Sequence, residues 1–392
     1  MTPDAASPAV PRPVKGLSLV SFFNDVASEM VYPLLPAYVS RTLGAGAVAL
    51  GALDGAADLT AALVKWVSGR LADRPGWRGP LILGGYATAT LVRPLIAVAG
   101  AAWQVVGFRV VDRVGKGLRT PPRDALIAEL TEPAARGRAF GFHRAADHLG
   151  AVLGSVVAWL LLARGLDVQE VIGWSVVPGM VAFALLAVLL RRLPKGTAPR
   201  APARAGGARD AGGRVFWAPL LALAALVLAR LPEALLLLRL QDLGVSVAAI
   251  PLVWGALHVV RSAGSYPGGR LADRLGSRTT VALGGLLFAA VAAALAAALS
   301  PAAAVAVFLA FGLVAGLTES AERAMVARLA PVRPGRGFGA YHALTGIAAL
   351  PAGLLFGAAY QELGAATALR LSAAATVAAA AVWALSGRDR GR

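Results

Sequence analysis

The chain has 392 residues, 57% apolar and 15% charged, with a formal net charge of +17 and a mean hydropathy of +0.67. A soluble domain carries about 45–50% apolar residues with glycine counted, and about 25% charged ones. Here 45 glycines come on top of the apolar share, so the composition argues against a soluble enzyme, a disordered chain or a collagenous one. An integral membrane protein remains.

Of the 38 basic residues only Lys15, Lys65, Lys116 and Lys195 are lysine. With so much alanine and glycine, that arginine bias fits a GC-rich genome. The hydropathy argues against nucleic-acid binding. No cysteine is present, which leaves no disulfide, thiolate metal site or cysteine nucleophile. His143, His148, His258 and His342 are too scattered for a metal site, and no cofactor is expected. There is no G-x-S-x-G elbow, Walker loop or H-E-x-x-H. The chain is therefore read as a non-enzyme, and any pumping must draw on an ion gradient. The tail 1–16 is polar and Pro-rich and lacks the layout of a cleaved signal peptide, so the first apolar segment reads as a retained span.

A spanning helix needs about 20 mostly apolar residues. Twelve such segments are expected at 17–40, 46–68, 79–99, 101–122, 138–163, 168–190, 215–238, 245–267, 279–299, 302–328, 338–360 and 365–386. Between the sixth and seventh, 191–214 is a Pro/Gly/Ala/Arg linker without apolar period. It separates a bundle at 17–190 from one at 215–386, and 387–392 is a short tail. Pro121-Pro122 is expected to break, kink or end the fourth helix.

An even count puts both termini on one side, and the arginines say which. With the tails and the linker lie Arg12, Lys15, Arg70, Arg74, Arg78, Arg136, Arg138, Arg270, Arg274, Arg278, Arg328, Arg333 and Arg336. The opposite loops hold only Arg41, Arg164 and Arg239. Both termini are expected in the cytoplasm, in a plasma (inner) membrane, with some attraction to anionic lipid.

Residues 69–78 read GRLADRPGWR and 269–278 read GRLADRLGSR, matching at eight of ten positions. The register recurs in Leu43-Gly44 with Leu243-Gly244, in Ala125–Leu130 with Ala324–Leu329, and in His143 with His342. Six spans separate each pair, so the halves are parallel repeats. Such repeats place a substrate site between two bundles, opened to one side at a time by rocking.

At these residues the chain resembles the major facilitator superfamily. The decapeptide fits that family's loop signature G-x-x-x-D-[RK]-x-G-x-[RK] between the second and third helices, with a second copy at 269–278. Pro33-Leu34-Leu35-Pro36 resembles its P-x-x-P element. Arg109, Asp112 and Gly115 resemble its fourth-helix arginine motif, with Arg113 where glycine is usual. Gly150-x-x-x-Gly154 resembles its antiporter motif, with Ser155 where proline is expected. The resemblance implies an all-α integral membrane fold of twelve transmembrane helices in two pseudo-symmetric six-helix bundles. It also implies a cavity lined by helices one, four, seven and ten.

An ionisable side chain near the bilayer centre costs at least about 2.5–3.5 kcal/mol, so it usually faces a cavity, a partner or a proton path. Asp25, Glu29 and Tyr32 share one stripe of the first helix, beside Asn24. Asp54 and Asp58 share a face of the second. The repeat places His258 opposite Asp58, with Arg261 three residues on. The fourth helix carries Arg109, Asp112, Arg113 and Lys116. The seventh offers Arg230 and Glu233, and the tenth Glu319, Glu322 and Arg323.

Asn24, Asp25, Glu29, Tyr32, Arg109, Asp112, Arg113, Lys116, Arg230, Glu233, Glu319 and Glu322 are the candidate substrate and cavity set. Asp25, Glu29, Asp54 and Asp58 are the candidates for proton coupling, because a carboxylate walled by apolar surface is raised toward the working range. Pairing within the set, Arg109 with Asp112 or Arg230 with Glu233, is the alternative that touches no substrate. Arg119, Arg123 and Asp124 read as snorkelling boundary residues, and His143, Arg144, Asp147 and His148 as interfacial anchors.

In the two loops, Gly69, Asp73, Arg74, Gly76 and Arg78, with Gly269, Asp273, Arg274 and Gly276, read as gating elements. Asp73 is expected to meet a helix N-terminus or Arg138 when the cytoplasmic side closes. The expected function is alternating-access transport of a small organic solute by a monomer, with protons as coupling ion. Export of an anionic, zwitterionic or drug-like compound by antiport leads. Proton-coupled uptake of an organic anion, or a non-transporting sensor or lipid-handling scaffold, is the alternative.

Overall fold

The structure, a computed structural model, describes residues 10–72, 74, 76–132, 136–192, 214–329 and 334–385. Among the described residues twelve long helices follow one another: α1 Arg12–Val31, α2 Ala47–Ala72, α3 Arg78–Leu95, α4 Ala102–Glu129, α5 Arg136–Ala163 and α6 Val176–Arg192 form the first half. The second half holds α7 Arg214–Ala229, α8 Ile250–Leu275, α9 Ser277–Leu295, α10 Pro301–Leu329, α11 Pro334–Leu363 and α12 Ala365–Leu385. Among the described residues, nine helical stretches are long and apolar enough to cross a membrane. The three long helices that fall short are α1, α4 and α8. Polar side chains interrupt them: Asn24, Asp25 and Glu29 on α1, a basic row on α4, and His258 and Arg261 on α8.

Proline decides where the helices loosen. After Val31, Pro33 and Pro36 carry no N–H, and the chain runs through a 3-10 turn, Tyr32–Leu34, into a π-helical segment, Tyr38–Thr42. Pro232 breaks the seventh span, so α7 ends at Ala229 and a separate helix, Glu233–Asp242, resumes after it. The sixth span divides into Val168–Trp174 and α6. Asp167 caps its first part by accepting from Glu170 N–H at 2.8 Å, and Glu170 reaches back to Asp167 N–H at 2.9 Å.

At Pro121-Pro122 the expectation of a break or end is corrected: α4 continues to Glu129. Pro121 cannot donate to the Gly117 carbonyl, and Ser68 Oγ of α2 donates to it instead at 2.7 Å. A neighbouring hydroxyl supplies the missing bond, as helices within a bundle allow.

The duplication recurs in the backbone. Gly44 and Gly244 turn at φ 64° and 90°, Gly76 and Gly276 at 80° and 84°, and Gly165 and Gly364 at 91° and 83°. Side chains rarely adopt such values, so the same three turns are glycine in both halves.

Packing is asymmetric along the membrane axis. At the end bearing the helix starts of α1 and α7, the buried apolar clusters each belong to one half. Val14, Leu17, Ile82, Leu126 and Leu186 make one, and Leu223, Val281, Ala380 and Trp383 the other. At the opposite end a single cluster joins both halves, with Leu35, Tyr38 and Leu50 packed together with Leu235–Leu237, Ile250 and Trp254. That end is sealed.

A glycine seam between α2 and α11 runs beside the seal. A Cβ on Gly353 would stand 2.1 Å from the Gly51 carbonyl oxygen, and one on Gly51 1.9 Å from that of Gly353. Two backbones meet there, and nothing flexible can yield. Gly353→Ala is therefore expected to cost about 1–3 kcal/mol, read as a lowered thermal unfolding midpoint of the purified protein. An unchanged midpoint would mean that the helices slide apart at no cost.

Candidate functional site

Between the halves, against the sealed end, lies a cavity of about 460 Å³. Its walls are Glu29 and Tyr32 from the first span, Asp54 and Asp58 from α2, and Arg109, Arg113 and Lys116 from α4. The second half contributes Arg230 and Glu233 at the break of the seventh span, Trp254, His258 and Arg261 from α8, Phe288 from α9, and Phe311 and Glu319 from α10. The Glu319 side chain is 56% exposed, as is that of Arg323 beside it at 52%. The cavity thus opens at the end where the halves have separate cores.

The acids of this cavity are mostly engaged. Asp54 accepts from Tyr32 Oη at 3.0 and 3.2 Å and from Ala234 N–H at 3.0 Å. Glu29 accepts from the Trp254 indole N–H at 2.7 Å and lies 3.8 Å from His258 Nε2. Glu233 takes Arg261 at 2.6 Å, and Glu319 takes Arg323 at 3.0 Å. Both Glu29 and Asp54 therefore reach across from the first half to donors of the second.

Several cations are not so engaged. The Nε of Arg113, and the Nε and Nη2 of Arg230, are buried without a hydrogen-bond partner among the described residues. The Arg230 guanidinium lies 5.6 Å from the Phe288 ring centre. The expected Arg230–Glu233 pair is absent, because the chain break at Pro232 turns Glu233 toward Arg261. The expected Arg109–Asp112 pair is present at 3.4 Å.

Four of the candidate residues do not line the cavity. Asn24 Nδ2 donates to Asp25 at 2.9 Å, and Asp25 packs beside Gly150 of α5, where a Cβ would come 3.2 Å from its own. Glycine at 150 and 154 lets α5 approach the α1 backbone at Phe22 and Val26. Asp112 is buried, and Arg93 of α3 donates to it at 2.8 Å. Glu322 accepts from Tyr341 Oη at 2.5 Å.

Two boundary assignments change. Arg119 is buried, donating to the Gly85 carbonyl at 3.2 Å with Tyr86 beneath it. It fills the space above a glycine instead of snorkelling. His143 is buried too, with Nδ1 3.2 Å from Ser18 Oγ, because the start of α5 packs against α1 and not against the interface. Arg123 pairs with Asp124 at 2.9 Å, and Arg144 is exposed.

Of the loop residues, Asp73 lies outside the described residues, as do the side chains of Arg138 and Asp273. Gly76 and Gly276 make the turns, while Arg74 and Arg274 are exposed. Arg78 pairs with Glu129 at the end of α4. Gly69 lies in the last turns of α2 and Gly269 within α8.

Arg93 and Trp254 escaped the sequence reading. Arg93 interrupts an otherwise apolar segment, which is the signal of a buried partner. Trp254, His258 and Arg261 are spaced i, i+4, i+7 along α8, and the offset of 200 sets the first two against Asp54 and Asp58. That register was enough to place them on a cavity face.

The family model of the Major Facilitator Superfamily matches residues 17–238 and 231–392. The protein Rv2265 of Mycobacterium tuberculosis is 30% identical over 361 residues, 89% of this chain and 87% of that one. The multidrug resistance protein MdtH of Proteus mirabilis is 33% identical over 134 residues, 34% of this chain and 33% of its own. A crystal structure of a bacterial homolog to the human lysosomal transporter Spinster superposes with a TM-score of 0.68 at 18% identity, covering 95% of this chain and 94% of that one. Two six-helix halves around a charged central cavity, the backbone duplication and the full-length match agree: the chain is a multi-pass membrane protein that belongs to the Major Facilitator Superfamily of transporters.

Proposed function

We propose that this protein is a proton-coupled secondary transporter that exports a small organic anion or zwitterion with an apolar body. The observation that carries the reading is the imbalance of pairing in the cavity. Glu29, Asp54, Glu233 and Glu319 are satisfied by protein donors, while Arg113 and Arg230 keep buried nitrogens unpaired on facing halves. A ligand carboxylate, phosphate or sulfonate supplies what they lack. Trp254, Phe288 and Phe311 offer apolar faces to the remainder of the solute.

Glu29 and Asp54 are the proton-coupling candidates of this reading. Each holds a contact between the halves that depends on its charge. The arginine asymmetry of the loops puts the open end and both termini on the cytoplasmic side of the plasma membrane. There the cavity loads solute from the cytoplasm, and the partial relatedness to MdtH favours export. The halves 17–190 and 215–386 rock as units about the 191–214 linker, and one chain suffices.

The test is electrical. The protein in liposomes on a solid-supported membrane is challenged with organic anions, zwitterions and cations under a pH step. Organic anions are expected to give a current that tracks the pH gradient and falls at least tenfold in Glu29→Gln. Labelled-solute flux covers electroneutral exchange. If neither current nor flux appears for any anion or zwitterion, or if Glu29→Gln leaves gradient-driven flux intact, the proton-coupled reading is wrong.

A further inference from the structure

The seventh span is interrupted at Arg230–Pro232, and the two sides of the break are satisfied differently. On the α7 side, the Ala229 carbonyl accepts from Ser372 Oγ at 2.9 Å and from Thr376 Oγ1 at 3.2 Å, and Leu231 N–H donates to Ser372 Oγ at 2.9 Å. All of these partners belong to the same half. On the other side the ten-residue helix Glu233–Asp242 begins, with orphan N–H groups in its first turn. Ala234 N–H donates to Asp54 Oδ2 at 3.0 Å, and Asp54 belongs to the opposite half.

This cap sits where the halves seal. Leu235, Leu236 and Leu237, which directly follow, are buried in the core cluster shared by both halves. A carboxylate at a helix N-terminus gains from the peptide dipoles as well as from the hydrogen bond. When the halves part at this end, Ala234 N–H loses its partner to water, while the Ser372 and Thr376 bonds move with their own half. The attraction is therefore specific to the sealed state.

We infer that Asp54 is a positioning residue that locks the sealed end, by capping the helix Glu233–Asp242 from the opposite half, and that its protonation releases the lock. Taking up a proton removes the negative charge and leaves the dipole of the helix start without its counterpart. Tyr32, Asp58 one turn on, Arg109 of α4 and Glu233 share the surroundings of Asp54. Of these, Glu233 is occupied by Arg261. From α11, Ala349, Leu350, Ala352 and Gly353, none of them titratable, approach this part of α2. Asp54 is thus the carboxylate whose charge spans the two halves at a helix end.

The inference goes beyond the transport reading, and its test needs no solute. The chain has no cysteine, so Thr42→Cys with Ser246→Cys places one spin label on each half, at exposed positions of the sealed end. In lipid nanodiscs, electron–electron resonance distances are recorded at pH 8 and pH 5. At pH 8 the unsubstituted Asp54 background is expected to hold one short distance, and acid is expected to raise the population at longer distance at least threefold. Asp54→Asn and Asp54→Ala are expected to show that population already at pH 8. Asp54→Glu is expected to restore the short distance, and Tyr32→Phe, which keeps the capping carboxylate, to retain it. Identical distributions for Asp54→Ala and its parent at pH 8, or an acid response undiminished in Asp54→Ala, would overturn the inference. The parent's own acid response needs no substitution at Asp54, so a variant that fails to fold leaves the test standing. A chain that locks in this way yet moves no solute would sink the transport reading alone.

Discussion

Asp112→Ala is expected to lower the stability of the folded protein by about 3–5 kcal/mol, the cost of removing one member of a buried ionic group. Asp112 lies between two arginines of its own half, Arg93 Nε at 2.8 Å and Arg109 Nη1 at 3.4 Å. The three side chains are 1%, 4% and 2% exposed. Arg93 also donates to the Asn24 carbonyl at 2.9 Å, so the group ties α1, α3 and α4 together. Losing the carboxylate leaves two guanidinium groups facing one another in apolar surroundings. Thermal unfolding in detergent, followed by tryptophan fluorescence, checks the prediction. The double substitution Asp112→Leu with Arg93→Met should recover the part of the loss owed to Arg93, because neutral side chains of similar bulk need no counter-ion, while Arg109 keeps its uncompensated charge. A single variant as stable as the parent would show that water reaches the group.

Arg230→Gln is expected to behave in the opposite manner. Arg230 forms no ion pair among the described residues, so the unfolding midpoint is expected to stay near that of the parent. Solute affinity is what should fall. A hydrogen bond to a charged group contributes about 1.5–3 kcal/mol, which at about 1.4 kcal/mol per factor of ten corresponds to roughly 10–150-fold. The half-saturation concentration for an organic anion on the solid-supported membrane reads this directly, and Arg230→Lys should recover part of it. Equal affinities in Arg230→Gln and the parent would remove Arg230 from the solute's path and shift the anion to Arg113.

The two arginines illustrate a general point about charges in a membrane protein. Sequence position alone does not say whether a buried cation holds the bundle or waits for a ligand. Arg109 and Arg230 look alike on paper, each three residues from an acid. Arg109 keeps its acid because a continuous helix stacks i and i+3 on one face. Arg230 loses its acid because Pro232 breaks the helix between them, and Glu233 turns to Arg261 instead.

Family, span number and the duplication were legible in the chain itself, because each rests on local chemistry. Apolar runs of about 20 residues satisfy their own backbone in lipid as helices. Glycines at Gly44, Gly76, Gly244 and Gly276 mark turns that other residues rarely make. Most of the cavity set was legible too, since a charge in an apolar run must find a cavity or a partner. Only the tertiary structure decided which of the two it found. Asp25 and Asp112 turn to partners within the first half, while Glu29 and Asp54 reach across to Trp254 and Ala234. Side chains 180 and 225 residues from their donors leave no local trace, and a proline at 121 looks like a stop until Ser68, 49 residues from Gly117, is seen to complete the helix.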